Sequence, residues 1–141
     1  MRTIVEGPIG AVPAHLAGGA AVLHAEETVW AAMLAGWRAQ QTSRNLAEAT
    51  IERRRSVVCR FQDYVGSYPW AWTAPEVDEF FLEFRVLRHG SHSTLLSYQN
   101  ALRMFLEYIV DPAYGWVELC WSRFGDHPVQ VFHEWNTARH T

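Results

Sequence analysis

Several features that mark particular protein classes are missing from this sequence. It contains no lysine, and its two cysteines, Cys59 and Cys120, lie far apart without a Cys-x-x-Cys pair, so neither a disulfide framework nor a zinc site is indicated. No apolar run approaches the roughly 20 residues of a membrane-spanning helix, and the first residues lack the apolar stretch of a secretory signal. These absences predict a cytoplasmic protein with reduced thiols and no membrane partner.

Motifs that carry enzyme chemistry are missing as well. The sequence has no glycine-rich phosphate loop, no dinucleotide fingerprint, no His-Glu-x-x-His and no Gly-x-Ser-x-Gly. The closest histidine pair, His89 and His92, has no neighbouring carboxylate or thiol that would complete a metal site. We therefore expect no metal, no cofactor and no small-molecule substrate, and we rank a small enzyme last among the possible functions.

Apolar residues are abundant and indicate a folded domain. They make up 49% of the 141 residues, and seven tryptophans are among them, which is too many for an intrinsically disordered chain. The hydrophobic period predicts an all-α bundle of four to five helices, at about residues 26–41, 51–65, 74–89, 91–110 and 116–124. The predicted organisation is a flexible arm over residues 1–25, rich in glycine and proline, a helical domain over residues 26–124, and a tail over residues 125–141.

Basic residues form a stripe on the second predicted helix, opposite its apolar face. At 100° per residue its apolar positions share one face, whereas Arg53, Ser56 and Arg60 lie on the opposite face, with Arg54 and Arg55 on the flanks. The planar guanidinium group suits phosphate and guanine. A GC-rich genome would also favour arginine over lysine, and neighbouring acidic residues could make this face an ordinary solvated surface.

The fourth predicted helix presents short polar groups on its outward face. These residues are Thr94, Ser97, Asn100 and Arg103. Side chains of this kind approach phosphates and base edges closely, as a helix in the major groove requires. Alternatively, Thr94 and Ser97 simply start a helix. The net charge of −3 argues against nucleic-acid binding, but two such faces in one small helical domain favour it.

The order of these elements resembles the core-binding domain of tyrosine recombinases and phage integrases. In that family a Thr opens one helix, an acidic helix follows, and Ser-x-x-Thr opens a helix that ends in Leu-Arg-x-Phe. The similar segments here are Thr50-Ile51, the acidic run from Thr73 to Phe80, Ser91-His92-Ser93-Thr94, and Leu102-Arg103-Met104-Phe105. The resemblance covers about residues 26–124. It implies a SAM-like helical domain that forms one half of a C-shaped clamp on double-stranded DNA.

The resemblance also implies a set of DNA-binding residues and a missing activity. The candidate DNA-binding residues are Thr50, Arg53, Arg54, Ser56, Arg60, His92, Ser93, Thr94, Ser97, Asn100 and Arg103. The family cuts DNA with a tyrosine nucleophile and a His-x-x-Arg motif from a second domain, and no His-x-x-Arg occurs in this sequence. We therefore expect a non-enzymatic DNA-binding domain for integration and recombination, with self-association on DNA, whose tail leads toward an absent catalytic domain.

A helical protein-interaction module is the alternative. Such a module would bury exposed aromatic side chains in a partner, and the candidates are Trp70, Trp72 and Trp135. Exposure of these three indole rings, together with an acidic surface over the second predicted helix, would favour this alternative.

Overall fold

The computed structural model describes residues 7–18, 23–86 and 89–137, and every regular element in these residues is helical. In chain order the helices are α1 (Ala14–Ala17), α2 (Ala25–Ser43), α3 (Glu48–Val65), α4 (Ala74–Val86), α5 (His92–Val110) and α6 (Trp116–Phe124). Single 3-10 turns lie at Pro69–Ala71, Pro112–Tyr114 and Glu134–Asn136. The predicted all-α fold is confirmed. None of the described helices is both long enough and apolar enough to cross a membrane.

Polar side chains mark the starts of α4 and α5, as the sequence pattern indicated. The Thr73 backbone N–H donates to Glu76 Oε1 at 2.9 Å. Just before α5, Ser91 Oγ accepts the Thr94 backbone N–H at 3.2 Å. Both bonds supply a partner to a backbone N–H that the helix itself leaves unpaired. The predicted starts of these two helices agree with the structure.

Helix α3 begins earlier than predicted. The sequence pattern placed its start after Thr50, whereas the helix starts at Glu48, and the preceding Ala47 provides no side-chain cap. Thr50 is therefore a half-buried residue of the first turn. Arg38 of α2 forms salt bridges with Glu48 and Glu52, so this end of α3 is held against the preceding helix. The start was misplaced because no local capping residue marks it.

Helix α5 lies at the centre of the bundle and packs against α2, α3, α4 and α6. Its buried residues are Leu95, Gln99, Ala101, Leu102, Phe105, Leu106, Tyr108 and Ile109. The Phe105 ring meets Trp37 and Trp30 edge to face, with centroids 5.1 and 5.8 Å away. Such pairs add to the free energy gained from buried apolar area. Because these contacts fix one face of α5 in the core, the opposite face is held toward solvent.

Two of the three tryptophans named as candidates for binding a protein partner are buried. Trp70 and Trp72 are 5% and 4% exposed. The Trp70 ring stacks on Phe124 with centroids 4.4 Å apart, and its Nε1–H donates to Glu26 Oε2 at 3.2 Å. Trp72 Nε1–H donates to the Ser67 carbonyl at 2.9 Å. The exposure that would have favoured a protein-interaction module is not found for these two rings, because both are buried and both indole N–H groups have partners within the fold. Trp135 is 71% exposed.

Part of the predicted N-terminal arm packs on the bundle. Leu16 is 1% exposed, and the Val12 backbone N–H donates to the Tyr114 carbonyl at 2.8 Å. The Gly10 carbonyl accepts from Trp116 Nε1–H at 3.3 Å. Residues 7–18 therefore form a strap across α5 and α6, which differs from the expected flexible arm because long-range bonds hold a segment rich in glycine and proline. The rest of the predicted arm includes residues 1–6 and 19–22, which lie outside the described residues.

Gly36 allows this strap to approach α2. A Cβ atom at this position would lie 2.3 Å from Tyr108 Oη and 2.8 Å from the Gly10 carbonyl oxygen. Both distances are too short for real contacts, so only glycine leaves room for the strap. Glycine inside a helix costs about 1 kcal/mol relative to alanine. The close packing of Gly10 explains why α2 contains it.

The segment after α6 also packs on the bundle. Val131 and Phe132 are 4% and 2% exposed, and the Phe132 ring centroid lies 5.6 Å from that of Phe61. This segment ends in the 3-10 turn Glu134–Asn136. Residues 138–141 of the predicted tail lie outside the described residues.

Candidate nucleic-acid interface

Helices α3 and α5 pack against each other and leave an open groove of about 320 Å³ between them. Its lining residues are Arg53, Arg54 and Val57 from α3, and Ser93, Leu96, Ser97, Asn100, Ala101 and Met104 from α5. We call this depression the α3–α5 groove. It brings together five of the predicted DNA-binding residues, namely Arg53, Arg54, Ser93, Ser97 and Asn100.

Helical spacing explains why these residues share one groove. Arg53 and Val57 are four positions apart, so they lie on the same side of α3. On α5 a spacing of three or four gives a second row, which contains Ser93, Ser97, Asn100 and Met104. Val58 and Phe61 of α3 are 0% exposed, and their burial orients the helix. The core packing thereby sets the position of both groove walls.

The two groove arginines have no acidic partner among the described residues. Arg53 is exposed, whereas Arg54 is half-buried and its Nη1 donates to Gln41 Oε1 at 3.0 Å. Burial, and secondarily the positive charge of Arg53, lower the pKa of the Arg54 guanidinium. Arg38 differs from both, because Glu48 and Glu52 neutralise it. None of the groove-lining residues is acidic, so the two guanidinium groups are the formal charges of the lining.

Two polar side chains of α5 are available in the same groove. Ser97 and Asn100 are exposed, and neither side chain forms a hydrogen bond within the described residues. Ser93 Oγ lies 3.3 Å from Ser91 Oγ. The groove thus contains an exposed amide, exposed hydroxyls and two guanidinium groups without acidic partners. These groups can donate hydrogen bonds to phosphate oxygens and to base edges.

Residues 33–116 match the protein family described as phage integrase, N-terminal SAM-like domain. The chain belongs to this family. The match contains both walls of the α3–α5 groove, and the resemblance seen over about residues 26–124 is confirmed. No curated protein and no solved structure gives a significant match. Family membership indicates a role in integrases or recombinases and implies interaction with DNA in general.

Two predicted arginines of this integrase SAM-like domain have partners outside the groove. Arg60 donates from Nη1 to the Tyr98 hydroxyl at 2.7 Å, and its guanidinium lies 5.8 Å from the centroid of that ring. Arg60 lines a separate depression, which also contains Asp63 and Glu83. Arg103 is half-buried and donates from Nη2 to Thr137 Oγ1 at 3.2 Å. Neither Arg60 nor Arg103 lines the α3–α5 groove.

The remaining four predicted residues also lie outside the groove lining. Ser56 and His92 are exposed, and Thr50 is half-buried in the first turn of α3. The Thr94 hydroxyl accepts a hydrogen bond from Ser91 Oγ at 2.8 Å. Thr94 therefore takes part in the start of α5, which agrees with the simpler of the two interpretations considered for it.

Sequence reasoning missed the apolar members of the groove in this integrase SAM-like domain. Leu96 and Met104 are half-buried and lie four positions before and after Asn100. Both are apolar, so a DNA-facing surface defined by polar groups does not include them, although the spacing of four from Asn100 places them in the same row. Beyond Met104 the groove adjoins a second depression that also includes Arg54, Glu107 and Asp111. Acidic residues therefore border the basic part of the surface.

A metal centre is not present in the described part of this integrase SAM-like domain. No group of three His, Cys, Asp or Glu side chains there could hold a metal ion. Cys59 and Cys120 are both free thiols, and burial raises the pKa of each.

Proposed function

We propose that this chain binds double-stranded DNA through the α3–α5 groove, as the core-binding domain of a tyrosine-type site-specific recombinase. The carrying observation is that Arg53 and Arg54, which have no acidic partners among the described residues, share one groove with the exposed Ser97 and Asn100. In this proposal the arginines of α3 hold phosphates, and α5 meets the base edges in the major groove.

Local charge supports the proposal better than net charge does. The whole chain carries a formal charge of −3, whereas the groove combines two guanidinium groups with no acidic lining residue. Salt screens charges that lie further than about 10 Å away, so the groove arginines affect a bound phosphate more than the distant acidic residues of the chain do. A protein with a negative net charge can therefore bind DNA through one basic surface.

Strand cleavage is not part of the proposed function of this chain. The family resemblance assigns cutting to a second domain with a His-x-x-Arg motif, and this motif does not occur here. DNA integration and recombination would then need both domains.

A protein-interaction function has less support, because Trp70 and Trp72 are buried. Self-association on neighbouring DNA sites remains part of the proposal. Leu82 and Val86 of α4, which are 65% and 57% exposed, supply an apolar surface for it.

Arg53→Ala is expected to weaken duplex binding about tenfold, the effect of losing one charge-assisted phosphate contact. The measurement is fluorescence anisotropy of a labelled duplex at several salt concentrations. For the variant, the slope of log affinity against log salt should become shallower by about 0.9. The variant makes one phosphate contact fewer and therefore releases fewer counterions when it binds.

Arg55→Ala is the matched control for this experiment. Arg55 is an exposed arginine of the same helix that does not line the groove, so the variant has the same net charge as Arg53→Ala. It should retain the affinity and the salt slope of the wild-type chain. Salt-independent binding, absence of binding, or equal losses for the two variants would overturn the proposal.

A further inference from the structure

The outward face of α5 carries one amide between two apolar side chains. Leu96, Asn100 and Met104 are separated by four positions each, and all three line the α3–α5 groove. At 1.5 Å per residue, the row from Leu96 to Met104 extends about 12 Å along the helix. Because successive bases on one strand are about 3.4 Å apart, this row matches a length of three to four base pairs.

The chemistry of the row distinguishes between base pairs. An asparagine amide donates to adenine N7 and accepts from adenine N6, and apolar side chains contact the C5-methyl group of thymine. Guanine offers two acceptors at the same edge, so the amide oxygen would have no partner there. The Asn100 amide has no hydrogen bond within the described residues and is exposed, which leaves both of its polar atoms available.

The row of Leu96, Asn100 and Met104 contains no arginine, the side chain that would favour a G·C pair. Arginine is the residue that most often reads guanine. The arginine of the α5 outward face, Arg103, donates instead to Thr137 Oγ1, and Arg53 and Arg54 lie on the opposite wall of the groove. Asn100 is consequently the residue at the centre of the α5 row that can form two hydrogen bonds with one base.

We propose that α5 reads A·T base pairs in the major groove, with Asn100 on adenine and with Leu96 and Met104 against thymine methyl groups. This inference rests on the proposed DNA-binding function and adds the class of site that the domain selects. Arg53, on the facing wall, contacts phosphate and contributes affinity without sequence preference.

A selection from a pool of duplexes with randomised central positions tests this proposal. The fraction bound by the wild-type chain should be enriched in A·T pairs over three to four consecutive positions. Asn100→Ala should lose about tenfold or more of the preference at the central pair. Arg53→Ala should weaken binding to all members of the pool equally and should keep the preference, because a phosphate contact carries no base information.

Modified bases in the enriched duplex separate base reading from DNA shape. Replacing the contacted adenine by 7-deazaadenine removes the N7 acceptor, and replacing thymine by deoxyuracil removes the methyl group, while both leave the minor-groove edge unchanged. Each change should weaken binding of the wild-type chain. The first should have no effect on Asn100→Ala, and the second should have a smaller effect on a Leu96→Ala, Met104→Ala double variant.

The outcomes distinguish this inference from the proposed function. Enrichment of G·C pairs, no enrichment, or indifference of the wild-type chain to both modified bases would overturn the reading of A·T pairs, while the loss of affinity in Arg53→Ala would still support DNA binding. Failure of the wild-type chain to bind any duplex would overturn both.

Discussion

Replacing Arg53 and Arg54 together by alanine is expected to weaken duplex binding about a hundredfold, or tenfold for each lost phosphate contact. The slope of log affinity against log salt should become shallower by about 1.8, because the variant makes two phosphate contacts fewer and releases fewer counterions when it binds. Arg54 adds to the effect of Arg53 because its half-buried guanidinium acts in a less polar environment, where an anion is attracted more strongly.

The control for this double variant carries the same change of charge elsewhere. Arg38→Ala with Arg55→Ala also removes two positive charges, but neither residue lines the groove, and Arg38 is already neutralised by Glu48 and Glu52. This control should bind DNA nearly as well as the wild-type chain. Equal losses in the two double variants would mean that net charge, and not the groove, determines binding.

Folding must be measured for the groove variant as well. Arg54 donates to Gln41 Oε1, and Gln41 is 3% exposed. Removal of the Arg54 side chain leaves the buried Gln41 Oε1 without this donor, which lowers the free energy of unfolding by about 1–2 kcal/mol. Binding should therefore be compared at a temperature at which urea denaturation shows both variants to be folded.

Trp116→Ala is expected to lower the free energy of unfolding by about 4 kcal/mol, a large part of the 5–15 kcal/mol typical of a single domain. Trp116 is 0% exposed, and its Nε1–H lies 2.8 Å from Tyr108 Oη and 3.3 Å from the Gly10 carbonyl oxygen. The substitution removes a large buried ring and one of the groups that join the strap over residues 7–18 to α5 and α6. Urea denaturation followed by circular dichroism measures the loss.

Trp121→Ala provides a matched control on the same helix. Trp121 is 61% exposed, so its truncation should change the free energy of unfolding by about 0.5 kcal/mol or less. Similar losses for the two tryptophans would contradict the packing of the strap on α6.

The helices could be predicted because their signals are local. The apolar period of α5 and the capping residue Ser91 lie within a few positions of the backbone that they organise. The same local geometry placed Ser97 and Asn100 on the outward face of α5, and Arg53 on the opposite side of α3 from the buried Ile51 and Val58. Five candidate residues in one groove thus follow from two helical periods and from the packing of α3 against α5.

What could not be predicted depends on contacts between distant residues. Arg60 and Arg103 belonged to the predicted site by their helix positions, but their partners, Tyr98 and Thr137, are 38 and 34 positions away. The strap over residues 7–18 depends on contacts with Tyr114 and Trp116 at the other end of the chain. Helical periodicity carries no information about such partners.

Mapping the DNA-contacting surface by NMR tests the central claim most directly. Amide chemical shifts of the isotope-labelled chain would be followed during titration with a duplex. The largest changes are expected in the α3–α5 groove, at Arg53, Arg54 and Val57 and from Ser93 to Met104, with little change in α6 or in residues 7–18. If the largest changes occurred in α4 or α6 while the groove amides stayed unchanged, the α3–α5 groove would not be the DNA-binding surface.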